Sequence, residues 1–412
     1  MPGGDLIVPR GLRQYIIDEC TEMGEEILIN DKRKLFDFIH LDSSLIKYRS
    51  YQSDAVNELI GKSPEGILVS PAGSGKTIMG LSLIPVLGQP TLWLTHTGPL
   101  MTQAVERAKA FLPDIGKIGK IGASKWELGD VLTIATIQTL SRNIDKLIKM
   151  RDKFGLVIQD ECHHVAAKTF TDVICHTNPY YLYGLTATPY RGDKLEALMY
   201  QAIGSSKTIV PLEKVKAEGG VIMPIVLYRE IRSKYHDGND IQLILKEFIV
   251  DNDRRNSIIV SDVIREAKEG HFCIVLSDRR EHCEELYSRI STGWEKTGIA
   301  TGKYSKKYVN QQVDACNDNR ITVLVATSSL LGEGFDVPFL DRAFITMPFR
   351  SMSKAEQLIG RIQRSFDGKN DAVLYDYVDI NIGVLKNQFF GRTKGSRSQT
   401  YSRLGVKIFK LE

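Results

Sequence analysis

The stretch Gly66-Ile-Leu-Val-Ser-Pro-Ala-Gly-Ser-Gly-Lys-Thr77 decides how this chain is read. Gly66–Ser70 is an apolar run of strand length, and Thr77-Ile-Met-Gly-Leu-Ser-Leu-Ile84 reads as a helix. Strand, glycine loop and helix in that order make a phosphate-binding loop. Gly73 and Gly75, on either side of Ser74, let the backbone wrap with its N–H groups pointing inward at an anion. Lys76 offers a point charge to the β and γ phosphates, and Thr77 a hydroxyl to Mg²⁺. Ser70 stands where the general pattern has Gly. The competing reading is an ordinary glycine-rich strand-to-helix turn.

Downstream, the buried-strand run Phe154–Gln159 ends in Asp160-Glu161-Cys-His-His164. A carboxylate at the tip of a neighbouring parallel strand reaches a metal held by such a loop, so Asp160 is expected to hold Mg²⁺ and Glu161 to act as general base on the attacking water. A zinc site is the rival, since Cys162, His163, His164, Cys175 and His176 lie close together. Consecutive residues on an extended chain point to opposite faces, and the spacing fits no standard zinc pattern. Cys162 and Cys175 are therefore expected as packed thiols.

Around this centre the chain reads as α/β throughout. Strand candidates in the first half are Gly66–Ser70, Thr91–Thr95, Val131–Thr136, Phe154–Asp160 and Tyr181–Thr188. In the second half they are Phe272–Ser277, Gly298–Thr301, Thr322–Thr327, Arg342–Met347 and Ala372–Val378. Amphipathic stretches between them predict parallel sheets flanked by crossover helices, in two tandem domains. The division expected is 1–47 as a small accessory segment with a helix at Leu12–Met23, 48–215 and 216–390 as the two domains, and 391–412 as a basic tail. The segment 204–220 reads as the crossing between domains. The tail is expected either to contact nucleic acid or to supply a last strand at Val406–Leu411.

With 412 residues, 42% hydrophobic and 25% charged, the chain is an ordinary globular protein of more than one domain. No apolar stretch is long enough to span a bilayer, and the N-terminal sequence lacks the order of a secretion signal. Six cysteines without a CxxC pair predict reduced thiols and a cytoplasmic protein, bacterial or in a phage-infected host. A net charge of +4 excludes a protein that coats nucleic acid; any nucleic-acid contact must be a local groove.

Taken in order, these motifs resemble a superfamily-two helicase, and more narrowly the XPB-like branch with the phage recombination and fork-remodelling helicases of the UvsW kind. The resemblance covers residues 48–378. Tyr48-Arg-Ser-Tyr-Gln52 resembles the family's adenine-reading motif, implying Arg49 and Gln52 as nucleotide contacts. Leu94–Gln103 resembles the first strand-contacting motif, with Thr97 and Gln103 in matching places and Pro99 where an acid is common; Ala135–Thr139 resembles the next, with Thr136. Gly184–Pro189 matches the coupling motif, so His163, Thr186, Thr188 and Gln357 are expected to link ATP hydrolysis to strand movement. Ile274–Arg279 is the weakest match. Ala326–Pro338 resembles the fifth motif, implying DNA contact by Thr327 and nucleotide contact by Gly334 and Asp336. Gln357–Arg364 resembles the sixth, whose Arg361 and Arg364 are expected on one helix face, reaching the γ-phosphate.

The fold implied is two tandem RecA-like domains, and the activity an ATP-dependent DNA helicase or translocase with ATP and Mg²⁺ as cofactors. It would run 3′ to 5′ on single-stranded, forked or branched DNA in replication, recombination or repair, as a monomer. Lys117, Lys120, Lys125 and Trp126 could extend the groove, against the simpler reading of a solvated loop. An RNA helicase of the same superfamily, the motor subunit of a restriction system, and a nucleotide-dependent clamp without turnover are the competing functions.

Overall fold

The computed structural model describes residues 8–162, 167–187, 196–233, 240–332, 337–349, 352–391 and 396–411. The chain divides into two compact units, Met1–Glu218 and Gly219–Glu412.

Unit 1 is built on β1 (Glu65–Val69), β2 (Thr91–Thr95), β3 (Gly119–Gly122), β4 (Lys125–Glu127), β5 (Leu132–Thr136), β6 (Leu156–Gln159), β7 (Tyr181–Thr186) and β8 (Lys207–Ile209). Their order across the sheet is β4-β3-β5-β2-β6-β7-β1-β8. All described pairings are parallel except β3 with β4. The inner strands β1, β2, β5, β6 and β7 are buried along almost their whole length, as in a parallel sheet covered on both faces. The parallel strands send their C-terminal ends to one edge, where open α/β sheets place their ligands. β7 lies between β1 and β6, so the glycine loop after β1 and the acidic turn after β6 flank the same strand.

Unit 2 is built on β9 (Ile225–Ile231), β10 (Cys273–Ser277), β11 (Thr297–Ala300), β12 (Val323–Thr327), β13 (Arg342–Ile345), β14 (Val373–Asp379) and β15 (Lys407–Leu411), in the order β11-β12-β10-β13-β14-β9-β15. Strand alternation splits each apolar run between two cores. Ile274 and Leu276 of β10 join one, with Leu324 and Ala326 of β12. Cys273 and Val275 join the other, with Val323 and Val325. The ten expected strands are all present, Thr91–Thr95 with the bounds expected and the others displaced by at most two residues at their ends.

The segment 204–220 contains the division between the units and also carries β8 beside β1 and the helix Leu212–Ala217. Two expectations need correction. The lysine-rich stretch after Lys117 is not a solvated loop but the β3–β4 hairpin on the sheet edge. Trp126 there packs against the unit 1 core, and Lys146 Nζ stands 5.0 Å from its ring centroid, so that face is no open stacking platform. Cys162 is buried as expected, but Cys175 is exposed.

The tail supplies the last strand expected at Val406–Leu411. Residues 396–411 form the helix Arg397–Arg403 and β15, which pairs parallel with β9. Arg397 is buried and grips Asp376 of β14 with two hydrogen bonds, Nε to Oδ2 at 2.8 Å and Nη2 to Oδ1 at 2.9 Å. Tyr401 adds a third donor to the same carboxylate at 2.9 Å. Arg403 pairs with Glu356, and Lys410 with Glu230 at 2.9 Å. Arg392 and Lys394 lie outside the described residues. The accessory segment likewise belongs to unit 1: Arg10 bonds Glu65 at 2.5 Å and the carbonyls of Pro179 and Tyr180 at 2.6 Å.

Candidate functional site

β1 delivers Ser70 and the glycine loop to the strand-end edge. Gly73 and Gly75 take φ of 82° and 86°, left-handed values that a Cβ would oppose. At Gly75 a Cβ would also stand 2.4 Å from Gln52 Nε2. Ser74 is buried, with its hydroxyl bonded to Ser70 Oγ at 2.5 Å and to the Pro71 carbonyl at 2.6 Å. The loop is thus held by its own serines before the helix Lys76–Leu87 begins at Lys76 and Thr77.

The helix Ser50–Lys62 lies against this loop. Tyr51 Oη donates to the Ser74 carbonyl at 2.9 Å, and Gln52 Nε2 donates to the same oxygen at 2.8 Å. Gln52 Oε1 accepts from the Arg49 backbone N–H at 2.9 Å, closing the helix start. Tyr51 was not singled out from the sequence; its only signal there was its place beside Gln52.

Lys76 Nζ lies 3.7 Å from Glu161 Oε1 and 3.5 Å from the Ser70 carbonyl. Glu161 has φ 46°, an uncommon conformation for a non-glycine residue that aims its carboxylate back over the loop. Asp160 is buried, and its Oδ1 accepts from the Glu161 N–H at 3.0 Å. Burial, and then the Glu161 charge, raise the Asp160 pKa above the ordinary carboxylate range, while Lys76 opposes them. A buried carboxylate disfavoured in its charged form suits an added cation. Asp160 and Thr77 are hard oxygen donors of the kind Mg²⁺ takes. His163, Thr188, Gly334 and Asp336 lie outside the described residues.

Along the same edge, Thr186 is buried at the end of β7, and its carbonyl accepts the Ser70 N–H at 2.9 Å. Thr97 caps the helix Gly98–Phe111, accepting from Leu100 N–H at a long 3.5 Å, and Gln103 sits half-buried on that helix. Thr136 ends β5 and bonds the Thr139 hydroxyl at 2.7 Å. No sequence motif marks the pairing of His96 with Gln138, yet His96 Nδ1 and Gln138 Nε2 meet at 2.9 Å and join the loop after β2 to the helix Ile137–Ser141 that follows β5.

In unit 2, Thr327 ends β12 with its hydroxyl 3.1 Å from Ser329 Oγ. Gln357 and Arg361 are half-buried on the helix Met352–Ile362. Arg364 is not on that helix: the helix stops at Ile362, and Arg364 forms an isolated bridge with Val221. The two arginines therefore do not share a helix face. Lys369, also unread in the sequence, fastens this turn. Its ammonium donates to the carbonyls of Leu340 at 2.7 Å, Arg364 at 3.0 Å and Ile362.

Two family models match the chain in succession: "Type III restriction enzyme, res subunit" over residues 45–191 and "Helicase conserved C-terminal domain" over residues 255–366. A phosphate loop facing an acidic strand end, followed by a second α/β unit of this type, makes the chain a superfamily-two helicase with tandem RecA-like domains, and so an ATP hydrolase. More narrowly it resembles the XPB-like branch. Probable helicase D10 of Escherichia phage T5 is 27% identical over 353 residues, 84% of this chain and 73% of the relative. The DNA 3'-5' translocase XPB2 of Sulfurisphaera tokodaii is 25% identical over 419 residues, 90% of this chain and 88% of the relative. A putative HsdR subunit fragment of a type I restriction enzyme from Vibrio vulnificus YJ016 shares the fold, with TM-score 0.61, 18% identity and coverage of 97% of this chain and 74% of that one. The S. cerevisiae Dbp5 structure bound to RNA and ADP BeF3 does so too, with TM-score 0.61, 14% identity and coverage of 89% and 90%. No helix among the described residues is long and apolar enough to cross a membrane.

Proposed function

We propose that this helicase is an ATP-driven DNA translocase that moves 3′ to 5′ and acts on forked or branched DNA in replication, recombination or repair. The observation that carries the reading is similarity along 90% of the chain to a protein named as a DNA 3'-5' translocase. The intact Lys76–Glu161 pair favours a motor over a clamp without turnover.

In this reading Gln52, with Arg49, meets the adenine, and the N–H groups of Gly73, Ser74 and Gly75 cradle the phosphates. Lys76 neutralises the β and γ phosphates, and Thr77 and Asp160 hold Mg²⁺. Glu161 takes the proton of the attacking water. Arg361 and Arg364 stabilise charge on the transferred phosphoryl group, and Gly334 and Asp336 complete the nucleotide site. His163, Thr186, Thr188 and Gln357 couple that site to the strand. Thr97, Gln103, Thr136 and Thr327 grip the DNA backbone, positioning it without reading sequence. The working domains are 48–215 and 216–390, acting as a monomer in the cytoplasm.

ATP turnover measured with no nucleic acid, single-stranded DNA, duplex, forked DNA, a four-way junction and RNA tests this. The strongest stimulation is expected from forked or four-way DNA, with displacement only of forks carrying a 3′ loading strand. Stimulation by RNA above every DNA would replace the reading with an RNA helicase.

A further inference from the structure

We propose that Glu218 is a positioning residue for purine selection: its carboxylate anchors the helix that carries Gln52. This rests on the reading of Gln52 as the base contact.

The segment from β8 to the end of unit 1 runs beside the helix Ser50–Lys62 from one end to the other. At the C-terminal end Lys62 Nζ donates to the Lys207 carbonyl at 3.0 Å. Near the start of the helix Lys214 Nζ lies 4.0 Å from Asp54 Oδ2. At the N-terminus Glu218 accepts from the Ser50 N–H at 2.9 Å, from the Ser50 hydroxyl, and from the Tyr51 N–H at 3.5 Å.

The first N–H groups of a helix have no partner within it and carry partial positive charge. Here Arg49, the residue at the cap position, makes no side-chain capping bond to them. Glu218 supplies the missing acceptor from a distant part of the chain, and these bonds lower its own pKa. Ser50 and Tyr51 take the carboxylate; Tyr51 and Gln52 hold the Ser74 carbonyl. Tyr51 alone thus links Glu218 to the phosphate loop.

Glu218 is also the last residue of unit 1, followed by Gly219 with φ 64° and then Gly220. The helix that reads the base is therefore fastened to the point where the chain leaves the unit. The phosphate loop serves every nucleoside triphosphate alike, so loosening this helix alters base preference before it alters phosphate binding.

Glu218 is exposed, so its replacement opens no cavity. The experiment compares kcat and KM for ATP and GTP in the full-length wild type, Glu218→Ala, Glu218→Gln and Gln52→Ala, with the melting temperature of each. Expected for Glu218→Ala is a rise in KM for ATP and a loss of ATP-over-GTP preference of about five-fold, the scale of a lost helix cap. The melting temperature should move little, and Glu218→Gln, which keeps one acceptor, should fall between. Unchanged preference in Glu218→Ala beside lost preference in Gln52→Ala overturns the proposal and leaves Gln52 in place. Equal losses for ATP and GTP reduce Glu218 to a structural cap. Full preference in Gln52→Ala overturns the base-reading role of Gln52, and the proposal with it.

Discussion

Lys76 Nζ and Glu161 Oε1 face each other at 3.7 Å, one from the loop after β1 and the other from the turn after β6. The ammonium also lies 3.5 Å from the Ser70 carbonyl, so it stands ready where the terminal phosphates would enter. Lys76→Ala is expected to abolish ATP turnover and strand separation. DNA binding should persist, because the loops proposed to grip the strand lie elsewhere on the edge. Parallel ATPase and DNA-binding titrations check this; turnover near the wild-type rate would remove Lys76 from the phosphate site.

Glu161→Gln keeps the side-chain shape but cannot accept a proton. It should bind ATP and hydrolyse it about 10²- to 10⁴-fold more slowly, the usual range for a lost general base. Single-turnover hydrolysis beside a nucleotide-binding titration separates the two effects. An undiminished rate would assign proton abstraction to another group.

Arg364 sits in the turn that Lys369 fastens through three carbonyls. Arg364→Ala should lower kcat about 10³-fold or more with little change in KM for ATP, since an arginine finger acts on transition-state charge. Lys369→Met removes the donors of those carbonyls and should lower the melting temperature, each unsatisfied group costing about 1–3 kcal/mol. If Arg364→Ala raised only KM, the residue would be a ground-state ligand.

The aligned motifs were legible because each is local: a strand end followed by residues whose chemistry needs no distant partner. The missed strands have physical reasons. β3 is four residues with two glycines, and β8 is three residues, too short for a period-2 pattern to register. β9 mixes apolar and charged residues because it lies one strand from the sheet edge and is only partly buried. The pairing of Glu218 with Ser50 spans 168 residues, a distance over which local reading has no signal. Arg397 shows the same limit. Charge and glycine mark its surroundings as a basic tail, and only the fold reveals Asp376 as its buried partner.

That pair carries a prediction of its own. Arg397→Met leaves the Asp376 carboxylate buried without its cation, which costs about 3–5 kcal/mol. Truncation after Phe390 removes the helix Arg397–Arg403 and β15 as well. Both should lower the melting temperature and cut turnover with and without DNA alike. A stable truncated protein with a flattened salt dependence of DNA binding would instead support a DNA-contacting tail.

His282 is buried, and burial and then the Arg255 charge hold its pKa down at about 3 against an ordinary 6.5. Asn256 Nδ2 donates to the Val250 carbonyl, so its Oδ1 accepts from His282 Nε2–H at 3.0 Å. His282 Nδ1 is then left to accept from the Ser277 hydroxyl at 3.1 Å. Between pH 6.5 and 3 the unfolded chain binds a proton here that the folded chain refuses. The contribution is present above pH 6.5 and is lost progressively as the pH falls through that window. His282→Gln should shallow the acid-side decline of stability. Superimposable stability-against-pH curves for variant and wild type would refute the neutral buried imidazole.

β9 has a consequence for how unit 2 is made. It occupies Ile225–Ile231, near the start of the unit, yet both strands beside it, β14 and β15, come from Val373–Asp379 and Lys407–Leu411. During synthesis its two hydrogen-bonding edges stay bare while well over a hundred further residues are added. Pairings so remote in sequence close slowly, and bare edges invite strands from other chains. Assembly of unit 2 is therefore a late event that hinges on its final segments. A nick or stalled chain upstream of β14 should yield material prone to self-association rather than a partly working motor.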